Sequence, residues 1–253
     1  MIGPATTAPY TRHAGLYDRI AADTPLVGGL RRRIVDVLDP GRGDVVVEMG
    51  CGTGANLSLL RERAGPGGTV IGLDVSAGML DRARGRIERA GWRNVHVARA
   101  DARRPPMPAG TDIDDGIEEF RSLEVDAVLA TFLTGTFEDP TSAVDGWCRL
   151  VADAGTETKR PRHRRPGRVC IAGLARSTRP LGRLLNPAFA GIVRAVAPAG
   201  WDDRGARKRR AVEVLDARAL AAHRGIHERC SDATTTREIA GFARVTAGTV
   251  DPS

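Results

Sequence analysis

Short apolar runs alternate with amphipathic helical patterns along the chain. Five of the runs are rich in β-branched residues and are bounded by Gly, Asp or Pro, which is typical of buried parallel strands. They cover residues 45–49, 69–73, 94–98, 125–130 and 168–174. Helical patterns lie between them at 54–63, 76–90 and 139–152. This alternation predicts an α/β, doubly wound fold with right-handed crossovers and helices on both faces of the sheet.

Further elements flank the alternating region. They are two helices at roughly 11–22 and 26–38 separated by Pro25, two helices at about 180–196 and 208–224, and an antiparallel strand pair within 228–247. The strand pair would complete a mostly parallel sheet of seven strands. Segment 103–124 carries prolines and then acids, which indicates an insertion over the edge of the sheet.

Composition favours a single domain without a membrane span. The chain has 253 residues and 42% apolar content, enough for one substantial core. No apolar run is long enough to cross a bilayer, and the N-terminus lacks the pattern of a signal peptide, so we expect a cytoplasmic protein. The cysteines are far apart and have no CxxC pair, so we expect reduced thiols at Cys51, Cys148, Cys170 and Cys230.

The net charge of +7 comes mostly from one segment. Residues 156–168 hold six Lys or Arg and one Glu, hence five of the seven net positive charges. Prolines at 161 and 166 favour an extended surface loop, with a patch for phosphate or anionic lipid as the alternative. The basic balance is therefore local, and the 4% aromatic content weakens a nucleic-acid-binding interpretation.

Three glycines lie where the first strand turns into the first helix, in the stretch "VVVEMGCGTGANLSLL". The first N–H groups of a helix lack partners, and glycine lets a ligand approach them closely. Asp74 closes the second strand twenty residues after Gly54, which suits a carboxylate that binds ribose hydroxyls. Asp101 follows the third strand, so three strand ends converge on a crevice that suits a nucleotide-like ligand.

Glu48 discriminates between the possible nucleotides. The sequence "GCGTGA" also satisfies the dinucleotide spacing, but a carboxylate just before the first glycine would repel a pyrophosphate. A ligand with an amino group and a sulfonium centre, such as S-adenosylmethionine, would be attracted. An NAD(P)-dependent oxidoreductase stays an alternative, although Tyr10 and Tyr17 are the only tyrosines and no Tyr/Lys pair lies downstream. A non-catalytic S-adenosylmethionine-binding protein is the third interpretation.

The motifs "VVVEMGCGTG", "VIGLDVSAGMLDRAR" and "ARADA" resemble those of the class I S-adenosylmethionine-dependent methyltransferases. The resemblance covers roughly residues 40–175 and is closest to the ubiquinone/menaquinone C-methyltransferase-like group. It implies a Rossmann-like fold within one domain, 1–253. Residues 1–40 would be an N-terminal helical cap, 41–175 the cofactor-binding core, and 176–253 the helices and closing strands on the acceptor side.

The same resemblance implies roles for individual residues. The glycines would line the methionine part of the cofactor above Glu48, and Asp74 would hold the ribose. Met79 and Asp101 would lie near the adenine, and Thr131 beside the transferable methyl. The full implied cofactor set is Glu48, Gly50, Cys51, Gly52, Gly54, Asp74, Val75, Met79, Asp101, Ala102 and Thr131.

The acceptor is less well determined, and no catalytic residue is assigned. The Asn/Asp-Pro-Pro-aromatic signature of amino-methylating enzymes is missing at 131–140, and no Pro-Cys pair is present, so nucleic acid is disfavoured. Methyl transfer by alignment of acceptor and methyl group requires no dedicated acid or base. If the acceptor keeps a proton, the candidates for a base are Tyr10, His13 and Tyr17, because N-terminal helices in related methyltransferases fold over the cofactor.

Segment 179–201 has apolar residues at helical spacing, interrupted by Pro187. We interpret it as a lid over a small-molecule or lipid-like acceptor or as a peripheral membrane contact, with a helix packed on the sheet as the alternative. The proposed acceptor contacts are Tyr17, Phe132 and Asn186, followed by Arg183 and Trp201.

His223, His227 and Cys230 have a spacing that metal ligands can adopt. A fourth ligand is not evident, and the third falls where the helix should end. An ordinary amphipathic helix is therefore the favoured interpretation, and no metal is predicted.

Overall fold

The structure, a computed structural model, describes residues 25–106, 123–152, 165–196 and 205–251. Seven strands form one sheet in the order β3-β2-β1-β4-β5-β7-β6. They are β1 Val45–Met49, β2 Thr69–Asp74, β3 Val95–Arg99, β4 Ala127–Thr131, β5 Gly167–Leu174, β6 Ser231–Glu238 and β7 Ala243–Val250. Only β7 runs antiparallel to its neighbours β5 and β6, so the prediction of a mostly parallel seven-stranded sheet is confirmed.

Six helices are described. They are α1 Pro25–Leu38, α2 Leu57–Ala64, α3 Ala77–Ala90, α4 Pro140–Ala152, α5 Pro180–Val196 and α6 Gly205–Arg229. Short 3₁₀ turns lie at Thr134–Thr136 and Ile239–Gly241. The predicted interruption of the fifth helix was wrong, because α5 continues through Pro187. The sixth helix is longer than the predicted 208–224.

Successive residues of the central strands pack alternately into two different apolar clusters. Val46 packs in a cluster with Ile34 of α1 and Leu57 of α2. Its neighbour Val47 packs in a second cluster with residues of α4 and α6, among them Trp147. This period of two follows from the pleat of a strand, which sends successive side chains to opposite faces. A polar side chain on a central strand is therefore buried and needs a partner.

The order in which strands are added to the sheet reverses at β1: β2 and β3 lie on one side of it and β4 and β5 on the other, and this reversal positions the site. β1 pairs in parallel with β2 on one side and with β4 on the other. The loops that leave β1 and β4 therefore diverge at the carboxyl ends of the strands. In open α/β sheets this divergence creates the ligand-binding crevice.

Trp147 of α4 connects the helix layer to the chain that follows β3. Its side chain is fully buried, and its Nε1 donates a hydrogen bond of 2.7 Å to the carbonyl oxygen of Ala102. The ring of Phe137 meets it edge to face, with centroids 6.2 Å apart. The indole thereby fixes the backbone next to Asp101.

Replacing this indole should destabilise the fold. Trp147→Phe leaves the Ala102 carbonyl without its donor and opens space in the core, so we expect the free energy of unfolding to fall by about 2–3 kcal/mol. Urea denaturation measures the change. Trp92→Phe is the matched control, because Trp92 is half-buried and Arg61 Cζ lies over its ring face, 5.9 Å from the centroid, a contact that Phe can keep. Equal losses in the two variants would contradict this account of Trp147.

Candidate functional site

The loop between β1 and α2 bends sharply at its glycines. Gly50, Gly52 and Gly54 have φ angles of 68°, 56° and 79°, in the left-handed region that favours glycine. A Cβ on Gly54 would lie 2.7 Å from Leu57 Cδ1, and one on Gly50 would lie 2.8 Å from a methyl carbon of Leu133. At Gly52, by contrast, no atom of the described residues lies within 4 Å of that position.

This geometry gives a second reason for two of the glycines. Packing of the chain against itself requires a residue without a side chain at Gly50 and Gly54, beside the ligand approach expected from the sequence. At Gly52 no atom of the described residues stands where a Cβ would be. Whether the three residues bind a ligand stays a prediction.

Glu48 lies next to this loop and is 1% exposed. Its Oε1 accepts hydrogen bonds from Asn56 Nδ2 at 2.5 Å and from Thr131 Oγ1 at 3.5 Å. Arg31 Nη1 donates to Asn56 Oδ1 at 2.8 Å, so the amide links the carboxylate to a buried guanidinium. The other oxygen, Oε2, is buried and has no hydrogen-bond partner among the described residues.

The charge of Glu48 is poorly compensated in its surroundings. Burial raises the pKa of this carboxyl group from 4.5 to about 7, against the lowering effects of Asn56, Arg31 and Thr131. Asp74 adds a smaller raising effect by repulsion. A cation bound at Oε2 would favour the ionised form and return the pKa toward its ordinary value.

Asp74 connects the first two strand ends. Its Oδ2 accepts from the backbone N–H of Gly52 at 2.9 Å, and its Oδ1 accepts from that of Ser76 at 2.8 Å. Burial raises the pKa of Asp74, and these backbone hydrogen bonds lower it less than burial raises it. The carboxylate thus holds the glycine loop against the start of α3 while it stays at the rim of the crevice.

Asp101 is paired within its own loop. Arg103 donates from Nε to Oδ1 at 2.9 Å and from Nη2 to Oδ2 at 2.6 Å. Partial burial raises the pKa of Asp101, but the hydrogen bonds and charge of Arg103 outweigh it and bring the pKa below its ordinary value. A ligand amino group would therefore share this carboxylate with Arg103.

The remaining predicted cofactor residues surround the same strand ends. Cys51 is buried against Gly72, and burial raises the pKa of its thiol. Met79 is 4% exposed, and its backbone N–H donates to Ser76 Oγ, which caps α3. The carbonyl of Val75 accepts from Arg99 Nε at 3.1 Å.

Phe132, a predicted acceptor contact, is partly buried with a φ of 57° and follows β4 directly. The Asn186 side chain exchanges two hydrogen bonds with the backbone of Ser177, which fixes the start of α5. Contact of either residue with an acceptor stays a prediction. Tyr10, His13, Tyr17 and Trp201, the predicted first helix and most of the acidic insertion and basic loop lie outside the described residues.

The four cysteines are free and buried. Among the described residues no group of three or more His, Cys, Asp or Glu side chains could hold a metal ion. In the segment considered for a metal, His223 contacts Thr246, His227 contacts Thr235, and Cys230 Sγ lies 3.9 Å from Cys148 Sγ.

The sequence reasoning missed Asn56, Arg31 and Arg103. Asn56 directly precedes α2, where Asn typically caps a helix, but its side chain makes no capping hydrogen bond and turns to Glu48. Its position two residues after Gly54 was the available signal. The hydrogen bond from Arg31 to Asn56 forms because α1 packs beside the glycine loop, and no residue pattern near Arg31 predicts it.

Comparison with known proteins agrees with this geometry. Residues 46–155 match the family model described as a methyltransferase domain. This segment is therefore similar to S-adenosylmethionine-dependent methyltransferase domains. The crystal structure of a SAM dependent methyltransferase from Aquifex aeolicus aligns with a TM-score of 0.54 at 14% identity, covering 94% of this chain and 98% of that one. At that identity the likeness shows a shared fold.

Two curated relatives are similar over shorter stretches. Nocamycin O-methyltransferase of Saccharothrix syringae is 31% identical over 146 residues, which are 58% of this chain and 47% of that protein. Aklanonic acid methyltransferase DauC of Streptomyces sp. strain C5 is 35% identical over 105 residues, 41% of this chain and 46% of that protein. The chain thus spans about half the length of these relatives. Among the described helices, none combines the length and apolarity required to cross a membrane.

S-adenosylmethionine, the cofactor of this family, fits the residues present. Its methionine part carries an ammonium group and a sulfonium, and the buried Glu48 Oε2 is an acceptor with no hydrogen-bond partner among the described residues. Among the described residues, no atom lies within 4 Å of where a Cβ on Gly52 would stand. The fit depends on charge and space that the fold already provides.

The raised pKa of Glu48 predicts a pH-dependent stability of the cofactor-free protein. Because the folded-state pKa is about 7 and the ordinary value is 4.5, wild-type stability falls as pH rises through this interval. Glu48→Gln has no charge to bury, so its stability relative to wild type should increase by up to about 3 kcal/mol between about pH 4.5 and pH 8. Urea denaturation at both ends measures this. Glu62→Gln, on the exposed side of α2, is the matched control. A stability difference between Glu48→Gln and wild type that does not change with pH would contradict the buried charge.

The glycine geometry predicts unequal effects of two matched substitutions. Alanine at Gly52 or Gly54 costs about 1–2 kcal/mol from the positive φ angle. At Gly54 the added methyl also collides with Leu57 and Ala83, which adds about 1–3 kcal/mol. Thermal and urea denaturation should therefore show Gly54→Ala as clearly the less stable variant. A larger loss for Gly52→Ala would mean that the space above Gly52 is filled by the chain itself.

Proposed function

We propose that this chain binds S-adenosylmethionine and transfers its methyl group to a small-molecule or lipid-like acceptor. The observation that carries the proposal is the fully buried carboxylate of Glu48, whose Oε2 lacks a hydrogen-bond partner among the described residues. Burying such a group without compensation is costly, and a cationic ligand at the mouth of the crevice removes most of that cost. The matched methyltransferase domain, residues 46–155, supports the same ligand.

Each residue of the crevice has a definite part in this proposal. Glu48 binds the ammonium group of the methionine part, and the backbone at Gly52 passes close to it. Asp74, already held by two backbone N–H groups, accepts from the ribose hydroxyls. Asp101 accepts from the adenine amino group while Arg103 keeps its carboxylate ionised.

The bound cofactor supplies a methyl group on a positively charged sulfur, which is a good leaving group. The chain's own contribution is orientation, because placing the acceptor in line with the S–CH₃ bond lowers the barrier without a dedicated acid or base. Thr131 and Phe132, at the end of β4, stand beside the position of that methyl. The Glu48–Asn56–Arg31 hydrogen bonds keep the charged floor of the crevice rigid.

Several finer predictions belong to this proposal. The names of the two relatives, a nocamycin O-methyltransferase and an aklanonic acid methyltransferase, favour a small-molecule acceptor. The placement of helices on both sheet faces is supported by the two apolar clusters. Membership of the ubiquinone/menaquinone C-methyltransferase-like group, the division of the domain at residues 40 and 175, peripheral membrane contact and a cytoplasmic location stay predictions.

The oxidoreductase alternative is disfavoured by the same carboxylate. A pyrophosphate at the glycine loop would approach Glu48 and Asp74, which repel it. A non-catalytic S-adenosylmethionine-binding protein would bind the cofactor equally well, so binding and turnover must be measured separately.

Titration calorimetry tests the cofactor assignment. We expect S-adenosylmethionine and S-adenosylhomocysteine to bind and NAD not to bind. Glu48→Gln should weaken S-adenosylmethionine binding about 10- to 100-fold through the lost charge-assisted hydrogen bond, whereas Glu62→Gln should leave it unchanged. Binding of NAD alone, or equal affinity in both variants, would refute the assignment.

A transfer assay with methyl-labelled cofactor separates an enzyme from a binding protein. Label should move to small-molecule or lipid pools that contain the acceptor and should be lost in Glu48→Gln. Cofactor binding without transfer to any pool, including RNA, would favour the non-catalytic alternative.

A further inference from the structure

Two of the four free cysteines meet where two helices pack together. Cys148 lies in α4, and Cys230 directly follows the last residue of α6. Their sulfur atoms are 3.9 Å apart, although the two residues are 82 positions apart in the sequence. Helices α4 and α6 contact each other, so the pair joins elements that β5 and α5 separate along the chain.

The two sulfur atoms are close enough to bond after a small movement. In a disulfide the sulfurs are about 2 Å apart, so those of Cys148 and Cys230 must approach by about 2 Å. Two side chains that each move by about 1 Å cover this distance. The bond therefore requires no rearrangement of the helices.

Neighbouring contacts keep the two thiols side by side. Arg229 Nη2 donates to Asp145 Oδ2 at 2.8 Å. Asp145 is three residues before Cys148 on α4, and Arg229 directly precedes Cys230, so this ion pair joins the same two segments. A Cβ on Gly248 of β7 would lie 2.5 Å from Cys230 Cβ. The glycine thus gives Cys230 room against the sheet.

The thiol pair is less deeply buried than the cysteine of β5. Cys148 is 6% exposed and Cys230 is 9% exposed, whereas Cys170 is fully buried. A small oxidant therefore reaches the pair more readily than it reaches Cys170. Cys51 is as exposed as Cys148, but its thiol contacts the carbonyl oxygen of Gly52 at 3.8 Å instead of a second sulfur.

The contact also makes one thiol more acidic than the others. With Cys148 as the donor, the hydrogen bond lowers the pKa of Cys230 against the raising effect of its burial. The same hydrogen bond, followed by burial, raises the pKa of Cys148. Burial raises the pKa of Cys51 and raises that of Cys170 to about 12. Because the thiolate is the form that reacts with oxidants, Cys230 is the reactive member of the pair.

We propose that Cys148 and Cys230 form a disulfide when the protein meets a peroxide, and that a thiol reductant reopens it. The Cys230 thiolate attacks one oxygen of hydrogen peroxide, and the O–O bond breaks. Hydroxide leaves and takes up a proton, and Cys230 becomes a sulfenic acid. The Cys148 sulfur then attacks the sulfenic sulfur, the S–O bond breaks, and water leaves with the second thiol proton. Two thiols thus supply the two electrons that reduce one peroxide to two waters.

The thiol pair lies away from the proposed cofactor residues. Both cysteines belong to the apolar cluster of Val47, whereas Glu48, the next residue of β1, sends its side chain to the opposite face of the sheet. The disulfide is therefore independent of the proposed function. It closes a long loop of the chain, which restricts the unfolded state and stabilises the oxidised protein.

Peroxide treatment of the reduced full chain tests the pair. After catalase removes the peroxide and the chain is denatured, a thiol reagent should show that wild type has lost two of its four thiols. Peptide mapping without reductant should find Cys148 joined to Cys230. Cys148→Ser should form no such bond, whereas Cys51→Ser, which removes an equally exposed thiol, should form it as wild type does.

Three outcomes of the peroxide treatment would overturn the proposal. They are retention of all four thiols in wild type, cross-links spread over other cysteine pairs, and a sulfinic acid at Cys230 without a bond to Cys148.

Thermal unfolding shows whether the bond forms in the folded chain. The oxidised protein should unfold in one transition about 5–15 °C above the reduced protein, and dithiothreitol should reverse the shift. Peroxide should not raise the unfolding temperature of Cys148→Ser. A cross-linked wild type that unfolds at a lower temperature than the reduced protein would mean that the bond forms only after the helices separate, against the proposal.

Discussion

The buried carboxylate of Glu48 is the constraint around which the site is organised. It occupies a central strand, where alternation sends its side chain into an apolar layer with no water to solvate it. Asn56 and Thr131 hydrogen-bond one oxygen and leave the other without a partner among the described residues. Folding thus retains a group that a cation would stabilise. An incompletely satisfied polar atom in a crevice is typical of a site completed by its ligand.

The loop beside Glu48 makes its own contacts with the fold. Asp74 accepts a hydrogen bond from the N–H of Gly52, and Leu133 and Leu57 occupy the space that side chains at Gly50 and Gly54 would need. These contacts hold the loop at the carboxyl end of β1, where open α/β sheets bind their ligands.

Local patterns were enough to predict the strands and the position of the crevice. Buried parallel strands must be continuous apolar runs, and their carboxyl ends lie at one edge of the sheet, so the sequence placed the glycine loop, Asp74 and Asp101 near one another. Thr131 was added by the family resemblance. A second reason for Gly50 and Gly54 was missed, because the atoms that an added side chain would meet there come from Leu133, Leu57 and Ala83. The residues that meet in such contacts have no regular spacing in the sequence, so no sequence pattern predicts the contacts.

The sequence by itself determined the mostly parallel sheet, the cofactor class and the acid beneath the glycine loop, because each depends on residue type at a strand end. Only the tertiary structure decided which partners those residues have. The Asn56 side chain makes no helix-capping hydrogen bond and donates to Glu48 instead. Arg103 donates to Asp101, and Arg244 lies opposite Arg237 in the β6–β7 pairing. Hydrogen bonds and charge pairs depend on distances of a few ångströms between elements, and packing of the whole chain sets those distances.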